Sequence, residues 1–186
     1  MATYVPDISL TSDELVYQLI NNDNGTYYDA AHLTLGTPSV NTTDYLDKNT
    51  RITVTHPKYG TIDGALLYYN RMNIQPVFDI TFPLFVCLDR ESNASSLGPY
   101  FQSVYGVGLQ AVDITPMTIS GTANTELTFT ISDSSLAWYG QTPMMVLSKS
   151  KYFYGTPDTL GYYVLSDGSL LKIGRASCRE RVCLYV

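Results

Sequence analysis

The sequence predicts an α+β fold, dominated by antiparallel strands and organised as two tandem small modules. Three observations carry that prediction. Short amphipathic helices are written near residues 12–22 and again near 95–105. Two heptapeptides, Asn49–Thr55 and Asn124–Thr130, share the pattern Asn-Thr-x-apolar-Thr-apolar-Thr at a spacing of 75 residues. Tyrosine is abundant, at 16 residues, and charged residues make up only 15% of the chain, against about a quarter in an average globular domain. Tyr and Thr suit half-buried pleated surfaces.

The elements of the first module follow in order. Tyr4–Leu10 reads as an extended lead-in. Thr11 or Ser12 offers an N-cap, and Glu14 lies three after Thr11, the spacing of a capping box. Leu15, Val16, Leu19 and Ile20 then form an apolar stripe at helical period. Asn24-Gly25 stops the helix, because glycine adopts φ > 0 without strain. A linker through Ala30–Thr34 and Gly36-Thr37-Pro38 leads to the strand at 49–55, whose apolar residues alternate with Thr. Gly64 marks a turn before a last strand, Ala65–Arg71.

The second module repeats that order. Val77–Leu88 reads as one or two strands broken near Pro83. Ser95 or Ser96 caps a helix that carries Leu97, Tyr100, Phe101, Val104 and Tyr105 on one face and ends at Gly106. Pro99 falls in its first turn, where a missing N–H is tolerated. Ala111–Thr115 and Pro116-Met117 repeat the linker, Asn124–Thr130 the strand, Gly140 the turn and Pro143–Lys149 the last strand. The modules are accordingly 1–74 and 75–171, the second with a C-terminal hairpin read from Tyr152–Gly155, Leu160–Leu165 and Asp167-Gly168. One domain with chance similarity is the competing organisation.

Residues with chemical potential read mostly as structure. His32 lies near Asp29 in a linker, a pairing able to orient a general base. No nucleophile motif accompanies it, and Asp113 takes its place in the second copy. A cap or turn is the preferred reading, and His56 before Pro57 reads as a turn residue. Asn21-Asn22-Asp23-Asn24-Gly25 is faintly like a calcium loop, but its first and twelfth positions would be Ile20 and Ala31, neither a ligand. The acidic pairs Asp44/Asp47 and Asp89/Glu91 match a glycosidase pair no better than any acidic chain does. Catalytic, cofactor-binding and metal-ligating residues are therefore expected to be absent. Trp138 reads as a core anchor, with a sugar-stacking platform as the alternative. Tyr69, Trp138 and Tyr139 are the candidates for a contact surface, since one of two adjacent strand tyrosines faces outward.

The last fifteen residues differ in character from the rest. Lys172–Val186 resembles the in-frame translation of a DNA-sequencing adapter, its run to Val182 matching the constant part. It is set aside as a non-native tail, and the natural product is expected to run on beyond Leu171. That origin favours an uncultured microbe or virus. The tail holds four of the 11 Lys and Arg residues and one of the 17 Asp and Glu residues, so its removal moves the net charge from −6 to −9. An acidic chain repels phosphate backbones, which argues against nucleic acid as a partner. Cys178 and Cys183 leave with the tail, and Cys87 alone makes neither a disulfide framework nor a zinc site. No signal peptide is visible, and no apolar stretch approaches the roughly 20 residues that span a bilayer. A soluble chain with no membrane partner is expected.

Leu10–Thr26, Leu46–Thr50 and Tyr69–Arg71, together with Tyr105-Gly106, Asp113-Ile114 and Ser135–Gly140, resemble virion structural proteins of large tailed bacteriophages, which carry tandem domains of unknown function. The resemblance covers about residues 7–150. It implies a non-enzymatic head, tail or baseplate component, assembled into the virion in the host cytoplasm. Its expected partners are other virion proteins and further copies of the chain. A fibre or adhesin-type module that binds a host surface glycan or receptor is the alternative.

Overall fold

The structure, a computed structural model, describes residues 4–43, 47–58, 60–78, 84–88, 91–121, 125–148, 162–164 and 170–172. Asp44, Asp89, the aromatic run 152–155, Asp167-Gly168 and residues 173–186 lie outside that set.

Helix α1 spans Ser12–Asn24. Its start is the expected capping box: the Glu14 carboxylate accepts the Thr11 N–H at 3.1 Å and the Thr11 hydroxyl at 2.8 Å. Gly25 closes it at φ 65°. The helix runs two residues past the predicted end because Asp23 and Asn24 find partners across the fold. Asp23 accepts the Asn70 N–H at 2.6 Å and meets Lys48 at 2.9 Å, while Asn24 donates to the Ile20 and Tyr68 carbonyls.

Three strands follow: β1 at Thr34–Val40, β2 at Thr50–His56 and β3 at Gly60–Tyr69, antiparallel in the order β1-β2-β3. β1 is a strand where a linker was expected. Among the described residues it forms the outer edge of the sheet, a position that tolerates Pro38. Its register on β2 slips between Leu35 and Pro38. Gly64 lies inside β3 and not in a turn. The ladder jumps from Thr53 opposite Leu66 to Thr55 opposite Thr61, so the extra residues of β3 are taken up in an irregularity. The turn falls at Pro57-Lys58, where the Lys58 N–H donates to His56 Nδ1 at 3.1 Å. Tyr4–Leu10 forms no strand. It runs beside α1, held by the Gln18 side chain at Asp7 and by the Gly108 N–H at the Ile8 carbonyl.

The first half closes with β4 (Met72–Asn73), and the second opens with the single helical turn α2 (Gln75–Phe78). Val77-Phe78 is thus helical where a strand was expected. Asn73 accepts the Gln75 N–H at 3.0 Å and Pro76 follows, a helix-starting arrangement. β5 (Leu84–Leu88) is a strand, as predicted, and residues 79–83, with the break near Pro83, lie outside the described set. β6 (Ser92–Asn93) precedes a 3-10 turn at Ala94–Leu97, capped by Asn93 and not by Ser95 or Ser96. Helix α3 is Gly98–Tyr105, ended by Gly106 at φ 67°. β7 (Thr118–Ile119) pairs with β6. β8 (Thr125–Thr130), β9 (Trp138–Tyr139) and β10 (Gln141–Ser148) follow, then the paired β11 (Tyr162–Val164) and β12 (Leu170–Lys172). β8 and β10 form an antiparallel pair, and β5 adds to β10 in parallel.

One continuous core takes Leu15, Ile20, Ile52 and Tyr69 from the first half, and Phe101, Phe129, Trp138 and Met144 from the second. Phe129 stacks edge-on against Phe101 with ring centroids 5.0 Å apart. β4 and β9 bind the halves as a short parallel pair, with the Met72 N–H on the Ala137 carbonyl at 2.8 Å.

Candidate functional site

Of the three aromatic residues offered as a contact surface, the structure leaves one in reach of solvent. Tyr69 and Trp138 are fully buried and Tyr139 is 37% exposed. Tyr69 belongs to the inner face of β3, where its hydroxyl donates to the Leu136 carbonyl at 2.6 Å. Burial pushes its phenol well above the usual value. Trp138 fills the core between the halves, as its preferred reading held, and its indole Nε1 meets no acceptor among the described residues.

Around these two rings lies a polar network that no local pattern signalled. Arg71, 7% exposed, donates from Nε to the Thr50 hydroxyl at 3.0 Å and from Nη1 to the Asp133 and Ser135 carbonyls, each at 3.1 Å. Asp113 is fully buried, accepting the Ser135 hydroxyl at 2.6 Å and the Gln110 N–H at 2.8 Å. Ser135 also accepts the Trp138 N–H, and the Ser12 hydroxyl accepts the Ala137 N–H. These groups clasp loop 132–138 to both helix α1 and the end of β3. Their burial makes them architecture.

His32 and Asp29 do meet, Nδ1 to Oδ1 at 2.7 Å, with side chains 59% and 64% exposed. The same Asp29 oxygen accepts the Ala31 and His32 N–H groups, so the carboxylate closes a turn. These bonds, the one from the His32 side chain foremost, hold its carboxyl below the ordinary value. In the 21–25 run, Asn21 Oδ1 accepts from Thr26 and Tyr28, and the Asp23 oxygens serve Asn70 and Lys48. They tie the end of α1 to its surroundings. Among the described residues, no group of three or more His, Cys, Asp and Glu side chains is placed to hold a metal ion.

A groove of about 610 Å³ opens where the starts of α1 and α3 meet loop 108–111, lined by Ser9, Thr11, Glu14, Ser95, Gln102 and Gln110 among others. Glu14 is its one carboxylate, and that side chain is engaged with Thr11. Two carboxylates are what glycoside cleavage asks for.

A further surface feature is the pair of outward sheet faces. Period-two alternation puts Arg51, Thr53 and Thr55 of β2 on one side and Ile52 and Val54 on the other. α1 covers the second side, where Leu15, Val16, Leu19 and Ile20 share a core with Ile52 and Val54. On the outer side Arg51 stands between Ser39 and Tyr68, and Thr53 stands beside Leu66, which is 40% exposed. In the second half Glu126, Thr128 and Thr130 of β8 stand outward, beside Met145, Pro143 and Gln141 of β10. Glu126, Thr128, Gln141 and Pro143 are exposed, while Phe129, Met144 and Val146 point inward and are buried. Thr outward and apolar residues inward is the arrangement that the shared heptapeptide predicts.

Residues 5–153 match the family of unknown function DUF7941, and the chain belongs to that family. No curated protein and no solved structure matches the chain.

Proposed function

We propose that the chain is a non-enzymatic structural component of a bacteriophage virion, a head, tail or baseplate part that works through protein–protein contacts. The observation that carries this reading is the pair of outward sheet faces. Each sets threonines around apolar side chains, with a charged residue at the same place in the pattern, Arg51 on one and Glu126 on the other. Polar, flat surfaces with apolar spots suit contacts made by shape and hydrogen bonding. The resemblance of residues 7–150 to virion proteins points the same way, and assembly in the host cytoplasm goes with it.

The test is particle composition. Peptides from residues 5–153 are expected in purified tailed-phage particles that encode this chain, at the stoichiometry of a structural part. Recovery from the soluble lysate alone would sink the reading.

A fibre or adhesin-type module is the second reading, favoured by the groove of about 610 Å³, which sets Ser95, Gln102 and Gln110 around a largely apolar floor. Saturable retention on one host surface glycan, lost on Gln102→Ala, would move the assignment there.

A further inference from the structure

The two outward faces carry opposite charges at matched positions. Arg51 and Glu126 hold the same place in the two heptapeptides, each two residues before a Thr at the middle of its strand. Both project from the open side of a sheet, Arg51 half-buried and lying along Ser39 with Nε 3.2 Å from its hydroxyl, Glu126 exposed. Two residues along each strand, the first face offers Leu66, 40% exposed, beside Thr53, and the second offers Pro143, exposed, beside Thr128. Cation thus matches carboxylate and apolar spot matches apolar spot. A face set against its own copy with that charge on the two-fold axis would instead oppose Arg51 to Arg51, or Glu126 to Glu126.

We infer that the occupant of the β1-β2-β3 outer face is the β5-β10-β8 outer face of a second copy of this chain, docked head to tail with Arg51 against Glu126. The inference rests on the proposed role as a particle component and names one partner of that role. Such a contact is heterologous: it leaves one free face at each end, so repetition closes a ring or extends a filament. Three strands about 4.8 Å apart and six residues about 3.3 Å apart span roughly 14 by 20 Å. That is well below the roughly 800 Å² per partner of a stable complex. Each contact is therefore weak by itself, and copies held in an array multiply it.

Sedimentation velocity of the full chain at rising concentration reads this out. The weight-average coefficient is expected to climb, with no plateau at the dimer. Raising salt to about 1 M, where the Debye length is about 3 Å, is expected to lower the association constant several-fold. Arg51→Glu and Glu126→Arg are each expected to lower it at least tenfold, with far-UV circular dichroism and Tm unchanged. The double reversal, and an equimolar mixture of the two single variants, are expected to restore it. A monomer at every concentration overturns the inference. So does a plateau at the dimer, or association that either single reversal leaves intact. Presence in purified particles together with a monomer in solution would fell this pairing and leave the virion role standing.

Discussion

The two halves of the chain build the same hairpin and complete it differently. β2 with β3, and β8 with β10, are antiparallel pairs that carry the shared heptapeptide on their first strand. In the first half the third strand, β1, lies antiparallel on β2, a few residues away in sequence. In the second half that place shrinks to a single bridge, Ile114 to Ile131. The third strand is β5, which comes from upstream and joins the other side of the hairpin in parallel. The difference teaches that the local pattern specifies the hairpin and its faces. What lies beside it is decided by the packing between halves, through the core and the Arg71–Ser135–Asp113 clasp.

The largest effect should separate the halves at matched core positions. Phe129 and Val54 occupy the same place in the heptapeptide, at 0% and 7% exposure. Phe129→Ala should cost about 3–5 kcal/mol and Val54→Ala about 2 kcal/mol. Because one core holds both, calorimetry should show a single transition that moves down in each case. Two transitions, only one of them moving, would break the comparison into separate folding units.

Arg71→Ala comes next, at on the order of 3 kcal/mol, because the Asp133 and Ser135 carbonyls lose a buried donor. Urea titrations of Arg71→Ala and Asp113→Asn, alone and combined, should show non-additive losses, since Ser135 joins them. Strict additivity would mean that the clasp is two unrelated contacts.

The helix starts sharpen the comparison at lower energy. Thr11 opens α1 through Glu14, and Asn93 opens the turn before α3 by accepting the Ser95 N–H at 3.0 Å. Thr11→Ala and Asn93→Ala should each cost about 1 kcal/mol in thermal melts. A loss at one and none at the other would show that one helix is held by packing alone.

The smallest effect is at Asp29, the linker carboxylate of the first half. Its folded pKa lies below the reference of 3.8, chiefly through the His32 side chain. The stabilisation is therefore present above the unfolded pKa and is lost as pH falls through the folded value. A titration followed by NMR should place the Asp29 carboxyl below 3.8 in the wild type and raise it in His32→Ala.

What could be read from the chain follows the range of the interactions. α1 was legible because Thr11, Glu14 and Gly25 act within a few residues, and so was the alternation of β2 and β8. In sequence β1 reads as a linker because Gly36 and Pro38 weaken its intrinsic preference for strand; it forms by pairing with β2. β5 was legible as a strand, but its parallel partner lies more than fifty residues onward. The contact-surface reading of Tyr69 and Trp138 failed for the same reason. Tyr69 looks outward-capable in sequence, Trp138 already reads there as a core anchor with contact as the alternative, and both are fully buried. Ser12 and Ser135, 123 residues apart, carry no local signal at all.

Pro38 has a consequence for how such a molecule is stored at high concentration. Exposed strand rims are where protein ribbons grow, each new chain adding its backbone to the last. A residue without an N–H, placed beside a slipped register, denies that rim a continuous row of donors. Recruitment of unfolded neighbours into amyloid is thereby discouraged on that side, and accumulation before use need not end in precipitation.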